Sequence, residues 1–289
     1  HLGKIHAKCI QEIVHTELIG IYDPNYEEAV KVGEELNVPV YHSPEELIAI
    51  SDIVDVVTTT SAHFDIAKQA MEQKKDVFIE KPVTATLEEA ATLLQIQKET
   101  GVKVQVGHVE RFNPAFKATQ EFIRMPLFIE SHRLAHFSPR GNDVSVILDL
   151  MIHDLDIVLH IVKSPIIDIQ ASGVAIITDS FDIANVRLHF ASGCVANLTA
   201  SRISLKNMRK LRVFQDNAYI GIDFLDKKSE IVQIQNLTQS VEDPFALILD
   251  VGEGKPQKQI SIHTPEIHPT NAIKEEIESF VDAIHRNIE

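Results

Sequence analysis

The segment DVFIEKPVT, residues 76–84, places two ionisable side chains directly after an apolar run. Glu80 and Lys81 follow the last apolar residue, and Pro82 comes next. Proline removes a backbone donor and restricts the residue before it to extended conformations, so the Lys81 ammonium should point into the crevice at the strand end rather than along a helix. An ammonium there can stabilise negative charge that develops on an oxygen atom. An exposed ion pair at a strand end would also explain these two charges.

The segment VILDLMIHDLDIV, residues 146–158, carries Asp149 and His153 four positions apart. Residues at this spacing lie on one face of a helix. A histidine can serve as a general base near neutral pH. A solvated helix surface would explain the pattern as well. Asp and His at this spacing can also bind zinc, but a third strong ligand is not evident, so we predict no metal site.

The part of the chain that must position Lys81 alternates strand-like and helix-like segments. Apolar, β-branched runs alternate with segments of helical spacing. This alternation predicts an α/β fold with a parallel, doubly wound Rossmann sheet, in which the carboxyl ends of the strands form the ligand crevice. Glu80 and Lys81 should therefore lie beside a bound dinucleotide. The strand-like segments are residues 18–23, 38–43, 53–60, 76–80 and 102–108.

The pattern changes after this alternation. Several long strand-like segments joined by turn residues favour a largely antiparallel sheet. We therefore predict an N-terminal Rossmann domain at 1–107 and a C-terminal α+β domain at 108–289 for substrate binding and oligomerisation. The second domain should contain a large, mostly antiparallel sheet, and we assign the C-terminal helix at 271–287 to it.

The chain begins with HLGKIHAKCIQEI, in which His1, Leu2 and Gly3 run into a helix. This order is typical of the end of a GxGxxG fingerprint, so we assign these three residues to the cofactor site. The strand and the first two glycines of the fingerprint are missing. Because a doubly wound sheet without its first strand leaves backbone groups unpaired, we expect that leading residues are omitted. A single glycine can also be a simple cap or turn.

Asp23 closes the strand-like segment at 18–23, about 20 residues after the glycine turn, where a carboxylate can bind the ribose hydroxyls of NAD. A 2′-phosphate would be repelled there, and the following PNYEE supplies no arginine. We therefore predict NAD as the cofactor, with NADP less favoured. The alternative is a turn residue before proline.

The composition excludes several classes of partner. The chain has 42 acidic and 27 basic residues and a net charge of −15, which opposes binding to nucleic acid or to an anionic membrane. No apolar run approaches the roughly 20 residues that a membrane-spanning helix needs. The two cysteines are far apart, with no CxxC, so neither a disulfide framework nor a thiolate metal site is indicated. A cytoplasmic location fits these features.

Four motifs together resemble the Gfo/Idh/MocA family of NAD(P)-dependent sugar and polyol oxidoreductases. They are EKP after the strand at 76–80, GKIHA near the start, TTTSAH at 58–63 and the VILDLMIHDLDIV segment, and the resemblance covers nearly the whole chain. It implies that Lys81 lies at the nicotinamide and the substrate, and that the bond from Lys81 to Pro82 is often cis.

The TTTSAH segment resembles the T-P-x-x-x-H turn of the family, whose backbone and histidine border the cofactor. This implies that Thr58, Thr59, Thr60 and His63 lie at the cofactor, and we add Glu80 to the same set. Thr59 stands where proline is common in the family.

The resemblance also gives the ionisable residues a reaction. Oxidation of a secondary alcohol requires hydride departure to the nicotinamide and loss of the hydroxyl proton. His153 is suited to act as the base. Lys81 can stabilise developing alkoxide charge, and Asp149 can orient the substrate or hold the imidazole.

The expected substrate site is polar. The segment GHVERFNP brings His108, Glu110, Arg111 and Asn113 to the crevice, and together with the helix motif it looks most like the UDP-N-acetylglucosamine 3-dehydrogenase branch. Arg111 and Arg140 could bind the diphosphate of a nucleotide sugar, although an interdomain salt bridge would explain both arginines.

Two alternatives remain open. The inositol dehydrogenases share a similar Asp-x-x-x-His helix, so a free polyol such as myo-inositol is the second candidate substrate. A protein of this fold can also bind NAD as a sensor without turnover. We further expect a homodimer or homotetramer formed through the C-terminal sheet.

Overall fold

The computed structural model describes residues 1–138, 144–237, 247–250, 252 and 256–288. It divides into two compact units. The first unit comprises His1–Phe112 and Asn271–Glu289, and the second comprises Asn113–Thr270. None of the helices in the described ranges could span a lipid bilayer.

Helices and short strands alternate first, and longer strands follow. The helices are α1 (Leu2–Glu12), α2 (Tyr26–Leu36), α3 (Pro44–Ile50), α4 (Thr60–Glu72), α5 (Leu87–Thr100), α6 (Pro114–Lys117), α7 (Ile152–Val162) and α8 (Ala272–Arg286). The strands are β1 (Ile53–Val56), β2 (Asp76–Glu80), β3 (Val104–Gly107), β4 (Pro126–Leu134), β5 (Ile166–Val174), β6 (Ile183–Phe190), β7 (Val195–Ser201), β8 (Met208–Gln215), β9 (Ala218–Asp223), β10 (Lys228–Asn236), β11 (Leu247–Leu249) and β12 (Lys258–His263).

The first unit is built on a parallel sheet in the order β1-β2-β3. The central strand β2 is apolar because helices cover it, and Val77, Phe78 and Ile79 are buried. A capping box between Thr86 and Glu89 begins the helix that follows β2. The predicted Rossmann-type α/β architecture is confirmed.

The strand-like segments at 18–23 and 38–43 form one parallel bridge rather than full strands. The Ile21 N–H donates to the Pro39 carbonyl at 3.0 Å, and the Tyr41 N–H donates to the Ile21 carbonyl at 3.0 Å. Pro39 has no N–H of its own, so the ladder cannot extend through it.

The second unit contains a nine-stranded sheet in the order β11-β12-β10-β9-β8-β4-β7-β6-β5. Neighbouring strands are antiparallel except for β4 and β7, which are parallel. One face is buried, with Ile129, Leu198 and Leu211 in a core that also includes Phe116 of α6 and Ile157 of α7. The predicted large, mostly antiparallel sheet is confirmed.

Helix α8 belongs to the first unit and not to the second, where the sequence analysis placed residues 271–287. Its apolar face explains the difference, because Ile277 and Val281 pack in one cluster with Cys9 and Ile13 of the first unit. The boundary between the units also falls after Phe112 rather than at 107.

Candidate active site

The carboxyl ends of the three parallel strands bring several predicted site residues to one edge of the first unit. Thr58–Thr60 follow β1, Lys81 follows β2 and His108 follows β3. The start of α1 lies at the same edge, since a Cβ built on Gly3 would be 3.9 Å from the Cβ of Val57. In a parallel α/β sheet this edge is where ligands bind.

The residues at this edge fit a dinucleotide. His1 and Leu2 precede Gly3 at the start of an 11-residue helix, and in the described ranges no side chain caps that first turn. The N–H groups of a helix start can bind a phosphate. Asp23 is exposed, and one of its carboxylate oxygens accepts the Asn25 N–H at 2.8 Å, so the turn occupies one of two oxygens. These placements are compatible with an adenosine ribose and a pyrophosphate.

His63 lies behind this edge rather than on it. Its ring is 1% exposed, with Nδ1 2.8 Å from the Pro82 carbonyl oxygen and Nε2 3.2 Å from the Thr58 carbonyl oxygen. The imidazole therefore joins the loop after β1 to the loop after β2. His63 therefore holds the two loops together, and its predicted contact with the cofactor stays a prediction.

Glu80 is likewise turned inward, although the sequence analysis expected it to emerge with Lys81 into the crevice. The residue is 8% exposed, and its Oε2 accepts the Lys81 backbone N–H at 3.1 Å. A Cβ built on Gly107 would lie 2.8 Å from Glu80 Oε1, so the carboxylate occupies the space that a larger residue of β3 would need. The prediction that the Glu80 side chain points outward was wrong, because other groups of the first unit bind its carboxylate.

The group that binds it is His6 of α1, which is 1% exposed. Its Nε2 lies 3.3 Å from Glu80 Oε1, and its Nδ1 lies 3.0 Å from Asp55 Oδ2 on β1. Burial alone would lower the pKa of His6, but hydrogen bonds and attraction to the two carboxylates outweigh it and raise the pKa to about 10. Burial raises the pKa of Asp55. We call His6, Asp55 and Glu80 the histidine cluster.

The two buried histidines contact the neighbours of Lys81 on either side, His6 at Glu80 and His63 at Pro82. The peptide bond between Lys81 and Pro82 is cis, as the family resemblance implies. The lysine N–H is bound by Glu80, and the carbonyl of Pro82 is bound by His63. The main chain on both sides of the lysine is therefore fixed by buried polar groups.

In the second unit, Asp149 and His153 lie on consecutive turns of one helical segment. Asp149 is within a π-helical turn, Ile147–Met151, and His153 is in the α-helix that follows directly. Both residues are partly buried. The sequence analysis expected a regular α-helix across both positions, and π-helical turns of this kind occur frequently at functional sites.

A buried ion pair fixes α7. Arg133 of β4 donates from Nε to Asp154 Oδ2 at 2.8 Å and from a terminal nitrogen to Asp154 Oδ1 at 3.1 Å. The two residues are 2% and 3% exposed. Asp154 follows His153 directly, so this bidentate contact sets the rotation of the helix that carries His153.

A second pair holds the start of the same helical segment. Arg202 Nε donates to Asp182 Oδ1 at 3.1 Å, and Arg202 also donates to the Val144 carbonyl at 3.0 Å. The Val146 N–H donates to the Phe181 carbonyl at 3.0 Å.

Backbone donors also fix the charge of Asp182. Burial alone would raise the pKa of Asp182, but backbone N–H groups from Ile176 to Thr178 and the Thr178 hydroxyl hold it well below its ordinary value. We call the Arg133–Asp154 and Arg202–Asp182 ion pairs the arginine pairs.

The residues assigned to the substrate have different surroundings. Asn113 is 7% exposed, and its side chain accepts the Ala115 N–H at 3.1 Å and donates to the Phe224 carbonyl at 3.0 Å. This amide caps α6. Glu110 is buried, whereas His108 and Arg111 are partly buried. Arg140 lies outside the described residues. Substrate contacts for these residues stay predictions.

The sequence analysis missed His6, Asp55, Arg133 and Asp182, which support the predicted site residues. A usable signal was present, because Asp55 lies inside the apolar run IVDVV and Arg133 lies inside a strand. Charged residues within buried strands require partners. Among the described residues, no group of three or more His, Cys, Asp or Glu side chains could hold a metal ion.

Comparisons with known proteins follow the same division of the chain. A model of the Gfo/Idh/MocA oxidoreductase family with an NAD-binding Rossmann fold matches residues 1–108. A model of the Gfo/Idh/MocA C-terminal domain matches residues 126–220.

Two relatives with a described activity are similar over most of the chain. The UDP-N-acetylglucosamine 3-dehydrogenase of Acidithiobacillus ferrooxidans is 39% identical over 232 residues, which cover 80% of this chain and 74% of that protein. The scyllo-inositol 2-dehydrogenase (NAD(+)) of Bacillus subtilis is 30% identical over 223 residues, which cover 70% of this chain and 65% of that protein.

A solved structure of the Acidithiobacillus ferrooxidans enzyme has a TM-score of 0.87 to this chain, with 33% sequence identity, and the alignment covers 100% of this chain and 87% of that one.

Proposed function

The chain belongs to the Gfo/Idh/MocA family of NAD-binding oxidoreductases, and from this premise we propose that it oxidises a secondary alcohol of a nucleotide sugar related to UDP-N-acetylglucosamine. The observation that carries the substrate assignment is the 39% identity to a UDP-N-acetylglucosamine 3-dehydrogenase over 80% of this chain. When bound, the nicotinamide of NAD accepts the hydride.

The residues of this chain supply binding and proton transfer. Lys81 donates a hydrogen bond to the reacting oxygen and stabilises its developing charge. His153 takes the hydroxyl proton, and Asp149 orients the imidazole or the substrate. Lys81 is supported by its place at the carboxyl end of β2, and the other two by their place on consecutive turns of one helical segment.

Cofactor binding uses the start of α1 and the turn after β1. His1, Leu2 and Gly3 meet the pyrophosphate, and Asp23 accepts hydrogen bonds from the adenosine ribose. The backbone of Thr58–Thr60 lies along the cofactor.

Arg111 and Arg140 bind the diphosphate of the nucleotide sugar in this proposal. Charge-assisted hydrogen bonds contribute roughly 1.5–3 kcal/mol each, so replacement of either arginine by Ala should weaken UDP-sugar binding by about tenfold or more. Free UDP should compete with the sugar nucleotide. If the arginines formed a salt bridge instead, the variants would lose stability and keep normal UDP competition.

The direct test incubates the protein with NAD and UDP-N-acetylglucosamine and follows the absorbance of NADH. Myo-inositol is tested in parallel, and thermal shift measures which compound stabilises the protein. NADH formation with the UDP-sugar and no shift with myo-inositol supports the proposal.

A free polyol is the second candidate, because inositol dehydrogenases are also among the relatives, including a myo-inositol 2-dehydrogenase of Thermotoga maritima at 26% identity. Turnover of myo-inositol, with neither NADH formation nor a thermal shift for any UDP-sugar, would identify the protein as a polyol dehydrogenase. Binding of NADH without turnover of either class would instead favour a sensor.

We also propose that the protein forms a homodimer or homotetramer through the sheet of the second unit and acts in the cytoplasm. The edge strand β5 of that sheet carries exposed large apolar side chains, including Ile167 and Ile169. Light scattering after size-exclusion chromatography should give two or four times the chain mass of 32.4 kDa.

A further inference from the structure

We propose that His6 is a positioning residue of the active site, and that it acts on Lys81 through the carboxylate of Glu80. This inference deepens the proposed function, since it rests on the role of Lys81 in alcohol oxidation. His6 lies in α1, far from Lys81 in sequence, and Glu80 contacts both residues.

A continuous series of polar contacts connects the two residues. His6 Nδ1 lies 3.0 Å from Asp55 Oδ2, and His6 Nε2 lies 3.3 Å from Glu80 Oε1. The other oxygen of Glu80 accepts the Lys81 N–H at 3.1 Å. The ring therefore fixes one oxygen of the carboxylate, and the second oxygen fixes the lysine main chain.

The charge of the ring makes this arrangement specific. His6 Nδ1 forms the hydrogen bond to Asp55, whereas Nε2 lies 3.3 Å from Glu80 Oε1, within ion-pair distance but without hydrogen-bond geometry, so attraction to Glu80 requires the charged imidazolium. The pKa of His6, raised to about 10 by the two carboxylates against the effect of burial, keeps this form at neutral pH. The edge of Phe78 packs against the ring at 5.8 Å between centroids and limits its movement.

Gly107 supplies independent support. A Cβ at this position would lie 2.8 Å from Glu80 Oε1 and 2.9 Å from Glu80 Cδ, closer than ordinary contact. The glycine of β3 therefore leaves the space that the Glu80 carboxylate occupies. Glu80 is held from three sides, by His6, by the Lys81 N–H and by the backbone of β3.

The experiment compares three variants that disturb this series at different points. His6→Gln removes the positive charge, Glu80→Ala removes the carboxylate, and Gly107→Ala displaces the carboxylate. The control is Asn271→Ala, which removes the cap of α8 and its 3.4 Å hydrogen bond to Cys9 of α1, and so lowers the stability of the same unit without changing His6, Glu80 or Gly107.

The first readout is hydrogen exchange of the Lys81 amide, measured by NMR on the protein without ligands. The amide should exchange at least tenfold faster in the three variants than in the control at matched stability. The second readout is steady-state kinetics, where kcat should fall by about 10- to 100-fold through displacement of the lysine while KM and NADH affinity change less than threefold.

A double variant distinguishes action through Glu80 from a general effect. If His6 acts through this carboxylate, His6→Gln should add nothing to the exchange rate or to kcat in the Glu80→Ala background. Additive losses, or a Lys81 amide that exchanges equally in His6→Gln and Asn271→Ala, would overturn the proposal.

The readouts also separate the proposal from the proposed function. If the unmodified protein oxidises neither UDP-N-acetylglucosamine nor myo-inositol, the proposed function fails, and the exchange of the Lys81 amide still decides whether His6 positions the lysine. If His6→Gln does not fold, Gly107→Ala and an NMR titration of His6 in the unmodified protein remain. A His6 that titrates near its ordinary value would contradict the two-carboxylate contact.

Discussion

The two units support their chemistry-bearing side chains with buried charges of different kinds. In the first unit, His6 carries the positive charge of the histidine cluster, and that charge can be removed at alkaline pH. In the second unit, Arg133 and Arg202 pair with Asp154 and Asp182, and a guanidinium keeps its charge throughout the range in which proteins are studied. Alkaline pH can therefore neutralise the cation that supports the first unit but not the cations that support the second, although both supports hold residues of one proposed reaction.

The largest expected effect is the loss of turnover when either unit loses its reactive side chain. Lys81→Ala in the first unit and His153→Ala in the second should each lower kcat by about 10²–10⁴-fold, because general acid–base contributions have this size. NADH affinity, measured by the fluorescence of NADH, should stay within a modest factor, with some weakening tolerated for Lys81→Ala.

Matched controls exist in both units. Lys98→Ala changes an exposed lysine of α5, and His268→Ala changes a histidine that is 79% exposed. Both should keep full activity. A loss below tenfold in Lys81→Ala and His153→Ala together would contradict the assignment.

The second prediction concerns the arginine pairs. Asp154→Ala leaves the Arg133 guanidinium buried without its carboxylate, which should lower the free energy of unfolding by about 3–5 kcal/mol. The double variant Arg133→Met with Asp154→Leu removes both charges and should recover most of this loss. Denaturant unfolding measures both variants, and equal destabilisation in the single and double variants would count against an unpaired charge as the cause.

The third prediction concerns the histidine cluster and pH. In the folded protein the pKa of His6 is about 10, above its ordinary value of 6.5, so the folded state binds more protons than the unfolded state between these values. The stability that this proton contributes is fully present below about pH 6.5 and is lost as pH rises towards 10. The slope can reach about 1.4 kcal/mol per pH unit.

Melting temperatures from pH 7 to 9 measure this effect. The difference between the unmodified protein and His6→Gln should shrink as pH rises. Asp182→Asn is the comparison in the second unit: the pKa of Asp182 is lowered, so its contribution is lost only as pH falls below the ordinary carboxylate range. The difference in melting temperature between Asp182→Asn and the unmodified protein should stay constant from pH 7 to 9. If the corresponding difference for His6→Gln also stays constant, His6 is not charged in the folded protein.

The smallest expected effect concerns the edge of the first unit. Asp23 should favour NADH over NADPH because its carboxylate repels a 2′-phosphate. Asp23→Ser should narrow the ratio of the two dissociation constants by about tenfold, corresponding to roughly 1.4 kcal/mol. Calorimetry with both cofactors measures this ratio, and equal affinities in the unmodified protein would refute the cofactor preference.

The sequence predicted the parts of the fold that follow from periodicity. Alternation of strand-like and helix-like segments gave the parallel sheet, and the EKP motif was correctly located at the end of a buried strand. Lys81, Asp149 and His153 were selected by residue type and spacing, and their catalytic roles stay predictions. The residues at 18–23 were predicted as a strand, and they form a single bridge because Pro39 interrupts the ladder.

The features that the sequence did not predict depend on contacts between residues that are distant in sequence. Glu80 was expected at the crevice because strand ends point there, but its direction is decided by His6 and Gly107, which lie 74 and 27 positions away (80 − 6 and 107 − 80). The assignment of α8 to one of the two units depended on which apolar surface its apolar face packs against. No local pattern carries that information.

The packing of α8 has a consequence for synthesis of the protein. Residues 113–270 lie between the two chain segments of the first unit, so the second unit is complete on the ribosome before α8 exists. Until then Phe78, which contacts Phe280 at 6.0 Å between centroids, and the apolar side chains of α1 have no cover from that helix. The nascent first unit consequently keeps this apolar surface exposed until α8 is translated, and exposed apolar surface favours aggregation during synthesis.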